Sequence, residues 1–599
     1  MDSQKIESFT AEDFTGTSLP YEYLYSFKGN PFELGQAREK MKKRASEVGV
    51  KRFISLWNDY LASVGNKKRT PLDNVTTFDG QEMELFSGSY VCSDAGVSLP
   101  GANGTEFNIC SHPIMPTRRL VNIDSGEERL KIAYKKGKTW RNIVVEKTAI
   151  ASSSSILSLA AHGVLVNSDN AKALSTYILE MEQKNYEEIP EEKSVGRLGW
   201  VGEHGFSPYV DGLVFDGENS FKHIFKAVTP SGSYEKWLEI MRDLRAKKSP
   251  ARYFLAASFA SAILEPCGLL PFFFHVWGTT EIGKTVGLMV AASVWANPKP
   301  GEYISTFNST DVGLELTASF LNSLPMCIDE LQIQSSAGVK DFDKIIYRLT
   351  EGVGKIRGAK TGGLQRTATW RNCFITNGEQ PITHSASGGG AVNRIIEFEC
   401  TEKLYDDLPQ LCAVINANYG HAGKIFSNFL QSDFVGDTVG KIQKQFYREL
   451  LSRDSTEKQA AAVAAMLAAD EIATQLIFKD NNALTVDDMA KIMTKRSDID
   501  INMRAYEYLV ELCSRNINHF RTGPFGEMQC ETWGKTDEGK IYIIKSVFDR
   551  EMIAQGFNPT SFLSWAKKNG VIETNDKRCT CMARISGNNV RCVCLKTDW

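Results

Sequence analysis

Phe272-Phe273-Phe274-His275-Val276-Trp277 runs directly into Gly278-Thr279-Thr280-Glu281-Ile282-Gly283-Lys284-Thr285, and a helix-like stretch from Val286 to Ala296 follows. An apolar run, a loop bounded by glycines and a helix make the strand–loop–helix join of a phosphate-binding loop, G-x-x-x-x-G-K-[ST]. Each position has a physical job. Gly278 and Gly283 let backbone N–H groups turn inward around a polyphosphate. The start of the helix adds its partial positive charge. Lys284 is expected to reach the β- and γ-phosphates, and the Thr285 hydroxyl to hold Mg²⁺. Residues 278–285 are therefore the expected ATP-binding loop.

Downstream, Leu324-Pro325-Met326-Cys327-Ile328 ends in Asp329 and Glu330. A P-loop enzyme needs a carboxylate at a strand end for the Mg²⁺ shell, and a following Glu polarises the attacking water. Asp329 is expected in the first role and Glu330 in the second. A strand ending in a solvated acidic turn is the plain alternative. The upstream loop favours the hydrolytic pair.

Residues 355–371 contain no Asp or Glu but carry Lys355, Arg357, Lys360, Arg366 and Arg371. Thr361-Gly362-Gly363 is a turn signal between two arms, so a basic β-hairpin is expected. The next strand, Cys373 to Asn377, ends in a polar residue suited to orienting water near a γ-phosphate. After the glycine run 388–390, Arg394 precedes the strand Ile395-Ile396-Glu397-Phe398-Glu399. An arginine placed there would project to a neighbouring subunit's nucleotide and stabilise transition-state charge.

The chain has 599 residues, 42% hydrophobic and 24% charged, enough for several domains. A formal net charge of -3 gives no global nucleic-acid signature, so any basic surface is local. Residues 1–7 are polar, so no export signal is expected. No uninterrupted apolar stretch reaches the ~18–20 residues that span a bilayer. The 13 cysteines are expected as reduced thiols in a cytoplasmic protein.

Residues 1–75 suggest a polar leader and one basic helix with Lys40, Lys42, Lys43 and Arg44 on a solvated face; residues 66–74 suggest a linker. Residues 76–247 suggest an α+β domain, with short strands near 89–92, 130–134 and 142–145 and helices over 153–165 and 170–185. Residues 248–400 hold the nucleotide-binding core, and 401–520 a helical region that includes an alanine-rich stretch. Residues 521–599 suggest a winged-helix-like module. There Cys579, Cys581, Cys592 and Cys594 flank a Gly587 turn. Four thiols converging across a hairpin would hold Zn²⁺; the alternative is a hairpin that buries them as small apolar groups.

The order of P-loop, carboxylate strand, basic hairpin, polar-ended strand and late arginine resembles the AAA+ core of the minichromosome maintenance helicases. In that family a hairpin lysine enters the central DNA channel. The resemblance matches Lys360 to that lysine, Asn377 to the sensor residue and Arg394 to the finger. Over about residues 85–480, Gly196-Arg197-Leu198-Gly199-Trp200, the stretch 307–315 (FNSTDVGLE) and Asn418-Tyr419-Gly420-His421-Ala422-Gly423 resemble a P-loop family of prophages and mobile elements. That family includes the helicases of staphylococcal cassette chromosomes. The resemblance implies an α/β multi-domain chain with an AAA+ core and a hexameric, ATP-driven DNA translocase. It also implies single-stranded or forked DNA as partner, element-encoded replication proteins beside it and no membrane. Lys355, Arg357, Lys360 and Arg366 are the expected DNA contacts. No clear sensor arginine stands in the lid region; Lys458 is the candidate. A DNA-remodelling initiator or loader, and an assembly module with structural nucleotide, are the other readings. The Asp329-Glu330 pair argues against the last.

Overall fold

The computed structural model describes residues 3–65, 74–101, 105–307, 310–329, 340–358, 363–364, 366–383, 387–432, 435–495, 499–520, 531–537, 539–574 and 578–596. The chain divides into two compact units, 1–122 with 126–193, and 123–125 with 194–599.

The first unit opens differently from expectation. In place of a leader and one basic helix, five helices run over Ser3–Glu7, Ala11–Gly16, Leu19–Tyr25, Pro31–Glu47 and Phe53–Gly65. Phe14, Tyr21, Leu24, Met41, Phe53 and Trp57 form their common core. Phe14 meets Phe53 edge-on at 5.9 Å, and Tyr21 stacks on Phe53 at 6.0 Å. Arg38, Lys40, Lys42 and Lys43 of Pro31–Glu47 are exposed, Arg44 is half-buried and donates to the Phe9 carbonyl oxygen at 3.0 Å, and Ala37, Met41 and Ala45 are buried. Further along, Ile114–Asn122, Glu128–Lys136 and Thr139–Glu146 form an antiparallel meander. Helix Ala171–Lys184 buries Leu174, Tyr177, Ile178 and Met181 in the same core.

The second unit is built on five parallel strands: β1 (Phe272–Trp277), β2 (Ser305–Thr306), β3 (Met326–Asp329), β4 (Cys373–Gly378) and β5 (Ile395–Glu399). Their spatial order is β2-β3-β4-β1-β5. Parallel strands covered on both faces read as unbroken apolar runs rather than alternating ones, and β1 and β3 do so. Helices α1 (Tyr234–Ala246), α2 (Ala251–Ile263), α3 (Lys284–Ser293), α4 (Asp311–Leu321), α5 (Lys340–Glu351), α6 (Leu408–Ala417) and α7 (Glu457–Ala473) accompany the sheet. Every residue of α2 is buried, because α3, α7 and the sheet surround it.

By length and composition alone, Glu457–Phe478 is apolar enough to cross a membrane, but most of it is buried inside this fold. Its one deep charge is matched. Asp470 accepts from Arg245 of α1 at 2.6 Å, both side chains being fully buried. Arg245 also donates to Asp480 at 2.8 Å and to Thr474 at 2.5 Å.

The C-terminal end has strands Gly534–Asp537 and Lys540–Ile544, helices Lys545–Ala554 and Pro559–Lys568, then Ile572–Glu573 and the hairpin Cys581–Ile585 with Asn588–Lys596. Helix Ile501–Arg515 packs into this core through Ala505, Leu509 and Leu512, upstream of the expected boundary at 521. Cys581 pairs across the hairpin with Cys592. Burial pushes the Cys592 thiol up to about 11 and the Cys594 thiol up to about 12. Cys594 donates to Glu573 at 3.5 Å. Among the described residues no group of three or more His, Cys, Asp or Glu is placed to hold a metal ion. Cys592 and Cys594 are buried, and Cys579 and Cys581 are half-buried.

Candidate nucleotide site and basic hairpin

The loop after β1 turns sharply. Gly278 has φ +152° and Gly283 φ +93°. A Cβ on Gly278 would lie 2.4 Å from the Cys400 carbonyl oxygen, and one on Gly283 2.7 Å from Leu408 Cδ2. Gly278 is thus required by close approach to backbone as well as by backbone angle, and Gly283 by its backbone angle. Glu281 adopts φ +70°, a conformation an L residue occupies at a cost of ~1–3 kcal/mol, and such strain collects at ligand clamps.

Helix α3 begins at Lys284, so its first N–H groups face the loop's concavity. The Lys284 ammonium donates to the carbonyl oxygens of Gly278 at 2.8 Å and Thr279 at 2.5 Å. The Thr285 hydroxyl donates to Asp329 Oδ1 at 3.3 Å. These two oxygens belong to separate elements, the start of α3 and the end of β3. Their convergence is what a divalent cation with two protein-side oxygens requires. Thr280, Glu281, Gly283, Lys284, Thr285, Asp329, Asn377, Gly378 and Glu379 line one cleft of about 510 Å³. Its dimensions, turned-in backbone, lysine and paired oxygens fit a nucleotide polyphosphate with a divalent metal. Residues 278–285 would cradle the phosphates, and Thr285 with Asp329 would hold the ion.

Strand order explains how Asn377 reaches the cleft. β4 lies between β1 and β3, with Val276 opposite Asn377 and Ile328 opposite Thr376. Asn377 therefore stands one residue before the end of its strand, between the P-loop and Asp329, and it is buried there. Glu379 was not expected. It stands just past the end of β4, exposed, in the bend that follows Gly378, and lines the same cleft. His275, also unexpected, is fully buried between β1 and β4. Its Nδ1 lies 2.9 Å from Thr376 Oγ1 and its Nε2 3.1 Å from the Gln380 carbonyl oxygen. Nε2 facing a carbonyl carries the proton, so Nδ1 accepts from the threonine hydroxyl. Glu330 and Lys360 lie outside the described residues.

Arg394 is elsewhere. β1 and β5 run parallel, Phe273 opposite Ile395 and Trp277 opposite Glu399. The P-loop leaves the C-terminal edge of this sheet, and Arg394 enters at the N-terminal edge. A strand of this length separates them by ~13 Å at about 3.3 Å per residue. The Arg394 guanidinium donates to the Gly390 carbonyl oxygen at 2.8 Å and lies 4.8 Å from the Tyr347 ring centre. With Lys458, Glu457, Tyr447 and Thr350 it lines a separate cavity of about 270 Å³. Burial, and then the neighbouring Arg394 charge, hold the Lys458 ammonium below its ordinary value.

The basic segment does pair as a hairpin, through Val353 with Thr369 and Gly358 with Leu364. Its cations are not equivalent. Lys355 is exposed. Arg366 is 64% exposed and 3.2 Å from Asp124. Arg357 donates to the buried Glu315 at 2.7 Å. Part of the charge expected to face DNA is therefore committed inside the fold.

A solved chain described as "SCCmec type IV Cch - active helicase" superposes with a TM-score of 0.61 over 86% of this chain and 99% of that one, at 17% sequence identity. The chain has the fold of that helicase. Residues 97–370 match the family described as a domain of unknown function (DUF927), and residues 500–599 match the "Cch helix turn helix domain". No curated protein matches. The helix-turn-helix match includes Ile501–Arg515, in agreement with the packing of that helix. The unknown-function match ends at Trp370, so it takes in the P-loop, β3 and the basic hairpin but stops short of Asn377 and Arg394.

Proposed function

We propose that this chain is an ATP-dependent DNA helicase with an AAA+ core, working as a ring, with ATP hydrolysed between subunits. The observation that carries the reading is the separation of Lys284, Thr285, Asp329 and Asn377 from Arg394 by the length of the sheet. A single subunit holds a phosphate cradle at one edge and an arginine at the other, so a complete site needs two copies. The fold shared with a helicase and the helix-turn-helix match support DNA as the partner. The resemblance to mobile-element proteins points to a hexamer replicating such an element.

Bound Mg²⁺–ATP supplies the phosphoanhydride whose cleavage drives the motor. Lys284 leaves its two carbonyl acceptors and places its charge on the β- and γ-phosphates. Thr285 and Asp329 orient the metal shell, and Glu330 takes the proton of the attacking water. Asn377, fixed between the two strand ends, positions that water. Arg394 of the adjacent copy stabilises charge on the transferred group. Lys355, Arg366 and Lys360 contact DNA phosphates, a sequence-independent and salt-sensitive grip.

The test is strand displacement on a forked duplex. Wild type is expected to unwind with ATP and Mg²⁺, and Glu330→Gln to bind both ligands without unwinding. A chain that hydrolyses ATP yet separates no duplex would sink the helicase reading. The helix-turn-helix match favours a second reading in that event, an initiator or loader that remodels DNA without processive unwinding.

A further inference from the structure

Glu315 lies in the middle of α4 with its side chain 2% exposed. A carboxylate this deep persists only when paired. It has two cations, from two different elements. Arg357, at the base of the basic hairpin, donates to Oε2 at 2.7 Å. Arg348, on α5, brings Nε to 3.5 Å from Oε1. Arg348 also pairs with Asp311, the first residue of α4. That pairing holds the Asp311 carboxyl below its usual range.

Of these two helices, α4 is tied to the nucleotide site through the strand that precedes it. α4 follows β2, whose Thr306 is paired with Asp329. α5 is the next described element after Asp329. Its Tyr347, beside Arg348, carries the Arg394 guanidinium. Glu315 thus joins the hairpin base, through Arg357, to α4, which follows the strand paired with Asp329, and to α5, which carries Tyr347 against Arg394.

We propose that Glu315 is a positioning residue that ties the hairpin base to α4 and α5, so that residues 353–358 respond to occupancy of the nucleotide cleft. The proposal rests on reading residues 278–285 as a nucleotide site. A purely structural glutamate would stabilise the fold but would transmit no signal between cleft and hairpin. Only a measured response separates the two.

Hydrogen exchange of residues 353–358 in the full chain, with and without a non-hydrolysable ATP analogue and Mg²⁺, makes the test. A fluorescent form of the analogue measures binding separately. In wild type, the analogue is expected to change exchange there about tenfold or more. In Glu315→Gln, that change should shrink to about threefold or less, while analogue affinity stays within about threefold of wild type. Glu315→Asp, which keeps the charge, should recover most of the response. If Glu315→Gln fails to fold, Arg357→Gln breaks the same contact from its more exposed side, and the same loss is expected. A full response in the charge-removed variants overturns the proposal. So does a wild type that binds the analogue with no change at 353–358. A wild type that binds no analogue defeats the nucleotide-site reading itself, and this inference with it.

Discussion

Thr285 and Asp329, the proposed Mg²⁺ ligands, come from two elements aimed at each other, the start of α3 and the end of β3. Their 3.3 Å hydrogen bond occupies the place where a cation would sit between them. Replacing Thr285 with Ala removes one oxygen and leaves the phosphate cradle. ATP hydrolysis is expected to fall ~100-fold or more, with a weakened Mg²⁺ dependence of nucleotide binding, both readable by titrating Mg²⁺. His275 makes a different statement. Burial pushes its pKa down to about 4 from the ordinary 6.5. The unfolded chain therefore takes up a proton that the folded chain refuses. This group costs nothing above pH 6.5, and stability is lost as pH falls from there toward 4. At pH 5 the loss attributable to His275 is about 2 kcal/mol. Denaturant unfolding at pH 7 and pH 5 should show wild type losing that much more than His275→Gln. Equal losses in the two proteins would remove the assignment.

At the scale of elements, α7 buries an aspartate whose cation comes from α1, with the Leu484 N–H as a further donor at 2.7 Å. Arg245→Met leaves Asp470 and Asp480 without their cation. A destabilisation of ~3–5 kcal/mol is expected from chemical denaturation, since an unpaired buried charge remains. The C-terminal module offers a contrasting surface element. Lys568 at the end of Pro559–Lys568 and Arg591 on the closing hairpin are exposed. If that module grips duplex DNA, Lys568→Ala and Arg591→Ala should each lower the slope of log affinity against log salt by about 1. Fluorescence anisotropy across a salt series reads this directly, and unchanged slopes would place the DNA grip elsewhere. Elements also mark where sequence reading succeeded. β1, β3, β4 and β5 were legible because apolar runs end in glycine or polar residues at fixed offsets. The short helices over 3–25 were not, because their core is made by aromatic rings meeting across separate segments, and no single segment is long enough to show a helical period.

For the whole molecule, the decisive arrangement is a phosphate cradle and an arginine on opposite edges of one sheet. Lys284→Ala and Arg394→Ala proteins are each expected to lose nearly all ATP hydrolysis. Mixed in equal amounts and allowed to exchange, they should recover about a quarter of wild-type activity, because one interface in four then joins an intact loop to an intact arginine. No recovery on mixing, with exchange verified, would mean that Arg394 does not act across an interface. Analytical ultracentrifugation with nucleotide gives the ring size on the same samples.

The sequence by itself determined the P-loop, the carboxylate strand, the polar-ended strand and the basic hairpin, because each is a local pattern whose chemistry is fixed by residue type and spacing. Only the tertiary structure decided which of them meet. Strand order set Asn377 and Glu379 between the loop and Asp329, and set Arg394 a sheet's length away. Packing turned Glu315 and Arg357, the latter an expected DNA contact, into an ion pair with a buried carboxylate and a half-buried guanidinium. The physical reason is range. Backbone propensity and side-chain periodicity act over a few residues, whereas burial, charge pairing and strand neighbourhood depend on segments 40 or more residues apart, as Glu315 and Arg357 are.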